Sequence, residues 1–229
     1  MSQKVYLVLA AQKEELDGLF SSIESKVTFI NGLETHVFEN PEVKIYGLMS
    51  GIGKVSMALT MGIFLATVPV NYVINIGVAG SISSQLRKMQ TFVSKKVCYW
   101  DVDLKEFGHP VGQMSDCPLY FEADRELLAK AERQLQNKGK AGLIISGDSF
   151  VSKAKIKEDW FKEFDNPIAC DMESAAVAQV CYKLHIPFLI IRAISDDPVN
   201  DGDNKDVYEF NLNEASYEAG KLVYKVIFD

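Results

Sequence analysis

The stretch from residue 168 to residue 198 constrains this chain most. It holds two short apolar runs with one amphipathic helical segment between them. Each run ends in acids, Asp171 and Glu173 after the first and Asp196 and Asp197 after the second. Continuous apolar runs of this length are the signature of buried parallel strands. A carboxylate at the carboxyl end of such a strand faces the crevice where open α/β sheets hold ligands. The unit therefore predicts an α/β fold with an acid-lined site at one end of the sheet. Asp171 and Glu173 are two residues apart, so an extended backbone would put them on one face.

The flanking sequence supplies the rest of such a sheet. Residues 5–10 form a buried, β-branched run. Leu16, Leu19, Phe20 and Ile23 then repeat with helical period from about Glu14. Residues 26–30, 35–39 and 43–49 read as a meander punctuated by Asn, Gly and Pro. Ser50-Gly51-Ile52-Gly53-Lys54 is a glycine turn ahead of a helix over 55–67, open enough for a sugar or anion to approach the backbone. Residues 72–76 form a central strand that runs into a glycine loop, Gly77-Val78-Ala79-Gly80. A strand over 91–99, a long loop over 100–120, a helix over 124–138 and a strand over 142–146 follow. Ile156, Trp160, Phe161 and Phe164 mark a short helix, the loop after Pro198 reads as mobile, and a last helix spans about 213–228.

Composition and motifs narrow the chemistry. No linker or charge run divides the 229 residues, so one domain over 1–229 is expected. A net charge of −7 argues against a nucleic-acid partner, which needs a basic face. No apolar run is long enough to span a membrane, and the first residues read as a strand rather than a signal peptide. Four cysteines without C-x-x-C spacing suit buried reduced thiols in a cytoplasmic protein. The three histidines lack metal-ligand spacing. Asp101 and Asp103 have the chemistry to hold a hard cation, although an exposed loop explains them better. The first glycine turn lacks Walker A spacing, and the second is not a dinucleotide fingerprint. No nucleophile elbow is present, and Cys170 has no base nearby in sequence. Carboxylate acid–base work remains. A partly buried Asp196 would have a raised pKa and could donate a proton, while a second, ionised acid activates water. That is the glycoside-hydrolysis pattern. Each acid also has an ordinary structural reading, Asp196 as a turn residue and Glu14 or Glu15 as first-turn helix acids.

Six motifs in order make the chain specific: residues 11–15 (Ala-Gln-Lys-Glu-Glu), 50–54, 77–80, 146–150 (Ser-Gly-Asp-Ser-Phe), 171–173 (Asp-Met-Glu) and 192–196 (Arg-Ala-Ile-Ser-Asp). Together they resemble the 5'-methylthioadenosine/S-adenosylhomocysteine nucleosidases of the nucleoside phosphorylase superfamily. The resemblance implies a three-layer α/β/α sandwich with a central mixed β-sheet. It also implies hydrolysis of the adenine–ribose bond of 5'-methylthioadenosine and S-adenosylhomocysteine, without metal or organic cofactor. By this likeness Asp196 protonates N7 of the purine and Glu15 orients and deprotonates the attacking water. Glu173 grips the ribose hydroxyls as an anion, Met172 lines the sugar pocket, and Arg192 and the position of Val78 bear on the water. Phe150 stacks on the base. Ile52 and Phe107 flank the 5' substituent, with Phe107 reaching across a homodimer.

Several positions depart from the family pattern. Asp171 stands where Glu is usual, Gln12 where Met often lines the sugar side, and Val78 where many relatives have Ser. Val207-Tyr208-Glu209-Phe210 replaces Phe-Asp-Glu-Phe, which shifts or removes the usual aromatic lid. The rival expectations are a nucleosidase preferring aminofutalosine or 5'-deoxyadenosine, a phosphate-dependent purine nucleoside phosphorylase, and a non-enzymatic nucleoside-binding or storage relative. Lys13-Glu14-Glu15, where a phosphorylase would hold phosphate, argues against the second. The intact acids argue against the third.

Overall fold

The computed structural model describes residues 3–135, 139–152, 160–197 and 205–229, and for residues 160, 205–208 and 210 the backbone alone. The end of the helix expected over 124–138, Ile156 and the loop after Pro198 lie outside the described residues, as do the side chains of Val207, Tyr208 and Phe210.

Among the described residues ten strands form one mixed sheet. In chain order they are β1 (Lys4–Ala10), β2 (Lys26–Ile30), β3 (Leu33–Glu39), β4 (Val43–Met49), β5 (Tyr72–Ser81), β6 (Thr91–Tyr99), β7 (Phe121–Glu122), β8 (Gly139–Ser146), β9 (Pro167–Asp171) and β10 (Phe188–Asp196). The helices are α1 (Lys13–Phe20), α2 (Lys54–Leu65), α3 (Arg125–Leu135), α4 (Ser174–Leu184) and α5 (Lys205–Phe228). Central β1 shows how the sheet is buried on both faces. Tyr6, Val8 and Ala10 enter one apolar core with residues of α1, α3 and α5. Leu7 and Leu9 enter another with residues of α2 and α4. The period-two alternation of a strand therefore feeds two helical layers.

β5 pairs in parallel with β1 on one side and β10 on the other. β10 continues antiparallel to β6, and β6 and β8 and then β8 and β9 pair in parallel. β9 returns antiparallel to the end of β5, with Gly80 opposite Cys170 and Ser81 opposite Ala169. Part of the sheet thus closes into a ring of five strands, while β4, β3 and β2 extend from β1 as a flap. The ring brings the ends of β5, β9 and β10 to one rim.

Two expectations need correction. Gly77 to Gly80 belong to β5 and are not a loop beyond it. Glycine is required there because side chains from other elements press against the strand: a Cβ at Gly77 would lie 2.6 Å from Glu15 Oε1, and one at Gly80 would lie 3.2 Å from an Asp196 carboxylate oxygen. The last helix begins at Lys205, about two turns before the expected start at 213. Its apolar period shows only where Ala215, Ala219, Leu222 and Val223 meet the core.

Candidate active site

A cavity of about 470 Å³ opens at the rim. Seven segments line it. Ala11, Gln12 and Glu15 come from the start of α1, and Ile52 from the turn before α2. Val78, Ala79 and Gly80 come from β5, and residues 149–152 from beyond β8. Cys170 to Glu173 come from the end of β9, Ser195 and Asp196 from the end of β10, and Glu209 from the first part of α5. Among the described residues five carboxylates face this space, and no lysine or arginine lines it.

Glu15 is buried at the first turn of α1. Its Oε2 accepts hydrogen bonds from the backbone N–H of Ala11 and Gln12, both at 2.9 Å, and its Oε1 accepts one from Val78 N at 2.9 Å. The helix-start explanation of this acid is therefore correct as far as it goes, because Glu15 closes a capping box with Gln12. The bond to β5 goes beyond capping and fixes the carboxylate against the cavity wall. Burial pushes its pKa up, while the Arg192 charge and the three N–H donors pull against that rise.

Asp196 is 2% exposed. A bulge places it: Ile194 lies opposite Ala79 and Asp196 opposite Gly80, so Ser195 is an extra residue on β10. Bulges re-aim side chains at strand ends in this way. The Ser195 hydroxyl donates to Asp196 Oδ1 at 2.8 Å, and Asn211 on α5 donates to the Ser195 carbonyl at 2.9 Å. Asp197, the next acid, is also buried and lies 3.7 Å from Arg87.

Glu173 sits at the N-cap position of α4, out of the extended conformation. Asp171 and Glu173 consequently part company. Glu173 reaches Gly53, whose N–H donates to its Oε1 at 2.8 Å. The turn that looked open to an anion thus meets a carboxylate of its own chain. Burial first, and then the neighbouring Asp171 charge, push Glu173 up to about 8. That shift favours the protonated carboxyl at neutral pH.

Asp171 is tied into a buried polar network. It accepts from Ser146 and Ser174 hydroxyls, and its Oδ2 accepts from Arg192 Nε at 3.0 Å and Nη2 at 2.7 Å. Arg192 also donates to the carbonyls of Asn75 and Ile191, to the Asn75 side chain and to the Ser174 hydroxyl. Every nitrogen of Arg192 is thus engaged within the protein, and the side chain stands behind the cavity wall instead of lining it.

Val78, Ile52, Met172 and Phe150 all line the cavity, with Ile52 and Phe150 about half exposed. Phe107 does not line it. It ends a short 3-10 turn and is 79% exposed. Sequence reasoning missed Ser149, Val151, Ser152, Cys170 and Ser195 as lining residues, and short polar or apolar residues beside motifs give little signal of that kind. The cation role considered for Asp101 is replaced by an ion pair with Lys54 at 2.6 Å. Among the described residues no three His, Cys, Asp or Glu side chains group as a metal would need, and no helix is long and apolar enough to cross a membrane. All four cysteines are buried and unbridged.

Comparison with known proteins places the fold and the family. The family model described as "Phosphorylase superfamily" matches residues 5–227. A 5'-methylthioadenosine/S-adenosylhomocysteine nucleosidase from Buchnera aphidicola subsp. Baizongia pistaciae is 34% identical over 225 residues, covering 96% of this chain and 88% of the relative. The structure of the nucleosidase of the same name from S. pneumoniae, solved with a transition-state inhibitor, superposes with a TM-score of 0.89 at 30% identity over 97% of this chain and 98% of that one. The S-adenosylhomocysteine nucleosidase of Streptococcus pyogenes, in complex with 5-methylthiotubericidin, gives 0.90 at 28% identity over 99% and 97%. Acids from α1, β9 and β10 meeting at one rim, on a fold shared across nearly the whole length of these proteins, place the chain in the phosphorylase superfamily and, within it, among the 5'-methylthioadenosine/S-adenosylhomocysteine nucleosidases.

Proposed function

We propose that the protein hydrolyses the N-glycosidic bond of 5'-methylthioadenosine and S-adenosylhomocysteine, releasing adenine and the thioribose. The convergence of Glu15, Glu173 and Asp196 on one cavity carries this reading. Asp196 gives its proton to N7 of the purine, and the bond between the sugar and the purine breaks with its electron pair going to the base. A water held by Glu15 bonds to the anomeric carbon and passes a proton to that carboxylate. Raised proton affinity makes Glu15 a stronger base. Glu173 holds the ribose hydroxyls. In its ionised form Glu173 stabilises the positive charge that develops on the sugar. Phe150 stacks on the base, and Ile52, Met172 and Val78 pack the sugar and 5' side. Arg192 acts from behind the wall by holding Asp171 and Asn75 in place. The acidic lining disfavours phosphate as nucleophile.

Adenine release from a panel of 5'-substituted adenosines, with and without phosphate, tests this reading. The expected result is release in phosphate-free buffer, unchanged by added phosphate, and faster for the two thio compounds than for aminofutalosine or 5'-deoxyadenosine. Release that requires phosphate would make the protein a phosphorylase. Binding without turnover of any compound would make it a nucleoside-binding relative.

The proposed assembly is a homodimer. Val55, Leu59 and Ile63 recur every fourth residue along α2 and are exposed, as is Ile52 just before it. A second copy covering this stripe would remove it from water and would let Phe107 of the partner subunit close the 5' end of the cavity.

Glu173→Gln should separate activity from stability. Glu173 binds its proton more tightly in the folded chain than an unfolded Glu does, at about 8 against 4.5. Its stabilising share is therefore complete below about pH 4 and is lost as pH rises toward 8. Gln keeps the acceptor for Gly53 N and carries no charge. The variant should melt above the parent at pH 8.5, with the gap closing near pH 5, while adenine release falls about a hundredfold. Melting curves at the two pH values check the sign, and a gap independent of pH would refute it.

A further inference from the structure

The loop that follows β8 and the turn that precedes α2 meet through charged side chains outside the cavity. The Asp148 carboxylate accepts a hydrogen bond from Lys54 N through Oδ1 at 2.9 Å. Asp148 N in turn donates to Asp101 Oδ2 at 2.9 Å. The Lys54 ammonium donates to both oxygens of Asp101, at 2.8 and 2.6 Å, lies 3.8 Å from Asp148, and sits over the Tyr99 ring. Two consecutive backbone N–H groups at the start of α2 are thus held by acids from different parts of the chain. Gly53 N is bound by Glu173 and Lys54 N by Asp148. Gly53 takes a φ of +98°, which favours glycine, and a Cβ there would lie 3.2 Å from Asp148 Oδ1. On the other side, Asp148 directly precedes Ser149 and Phe150 in the cavity lining.

We infer that Asp148 is a positioning residue for glycosidic cleavage, locking the base-side loop to the turn whose Gly53 N–H holds Glu173 against the ribose. The inference rests on the nucleosidase reading above. Asp148 lines no part of the cavity and touches no reacting atom. Its ion pair with Lys54 is partly exposed and long, so its charge contributes little. The bond to Lys54 N is what matters, because it fixes the peptide next to the one that Glu173 uses. A shift of that peptide alters how firmly Glu173 is held among Arg192, Asp171 and Glu15, the charged groups around it.

The test crosses protein variants with substrates. Asp148→Ala removes the acceptor for Lys54 N, and Asp148→Asn keeps it without the charge. Each is assayed with 5'-methylthioadenosine and its 2'-deoxy analogue over pH 6–9. Asp148→Ala should lower kcat/KM for the ribo substrate by about tenfold, lower it much less for the 2'-deoxy substrate, and displace the alkaline limb of the pH profile. Asp148→Asn should restore the parent profile. Equal loss on both substrates, or failure of Asn to rescue, overturns the role of Asp148. If the parent itself does not distinguish ribo from 2'-deoxy substrate, the grip of Glu173 on the ribose fails instead, and the inference with it. Should Asp148→Ala not fold, Asp148→Glu, which moves the carboxylate by one methylene, is read by the same substrate comparison.

Discussion

Asp196→Asn will stop adenine release from 5'-methylthioadenosine while nucleoside binding survives. The two side chains have the same shape. Asn keeps an oxygen for the Ser195 hydroxyl, which donates to Oδ1 at 2.8 Å. It also fits against Gly80, where a Cβ would come within 3.2 Å of the native carboxylate. The bulge at Ser195 and the Asn211 bond to its carbonyl are untouched. What is lost is the proton. An adenine anion is a poor leaving group, and a positioned general acid accelerates such a step by about a thousandfold. Single-turnover adenine release should fall by that factor, with calorimetric binding of the nucleoside little changed. Release at the parent rate would remove Asp196 from the acid role.

Glu15→Gln should be as damaging to rate, with the opposite effect on stability from Glu173→Gln. Glu15 accepts three backbone N–H bonds through two oxygens, one set from the start of α1 and one from β5. A carboxylate can serve both sets. An amide cannot, because its NH2 must face at least one N–H donor. Gly77 leaves no room to turn aside, since even a methyl group there would stand 2.6 Å from Glu15 Oε1. The variant therefore loses the base for water and leaves a donor unpaired. Turnover should drop about a thousandfold, and the melting temperature should fall by several degrees. Rate assays and melting curves on Glu15→Gln and Glu173→Gln side by side check both signs. Unchanged turnover in Glu15→Gln would end the water-base assignment.

The sequence made strands β1 and β10 plain, because runs buried on both faces carry a continuous apolar signal. Glu15 was harder. Its spacing from Gln12 explains a helix start, and nothing local shows that Val78 N, 63 residues away, supplies the third bond. Asp171 and Glu173 looked equivalent on an extended backbone. The chain leaves the strand between them, sending one to Arg192 and the other to Gly53. Arg192 gave no hint of its depth, since a lone charged residue near an acidic motif reads as a ligand contact until its neighbours are known. The ring closure was invisible too, because the β5–β9 pairing joins only two residue pairs far apart in sequence. The early start of α5 was hidden because the apolar period that marks the helix is plain only from Ala215 onward, while an earlier turn brings Glu209 to the cavity.

The ring also decides where the sheet ends. With β5, β10, β6, β8 and β9 joined edge to edge, the long unpaired margin is β2, at the tip of the flap. That strand is exposed along nearly its whole length and presents Val27 and Phe29 to water. Bare margins with apolar side chains are templates for strand addition from another molecule. Lys26 at the entrance and the short five-residue length are what guard this one. The weak point for clumping on heating or long storage is therefore remote from the chemistry, and a charged replacement at Phe29 would blunt it without reaching the nucleoside.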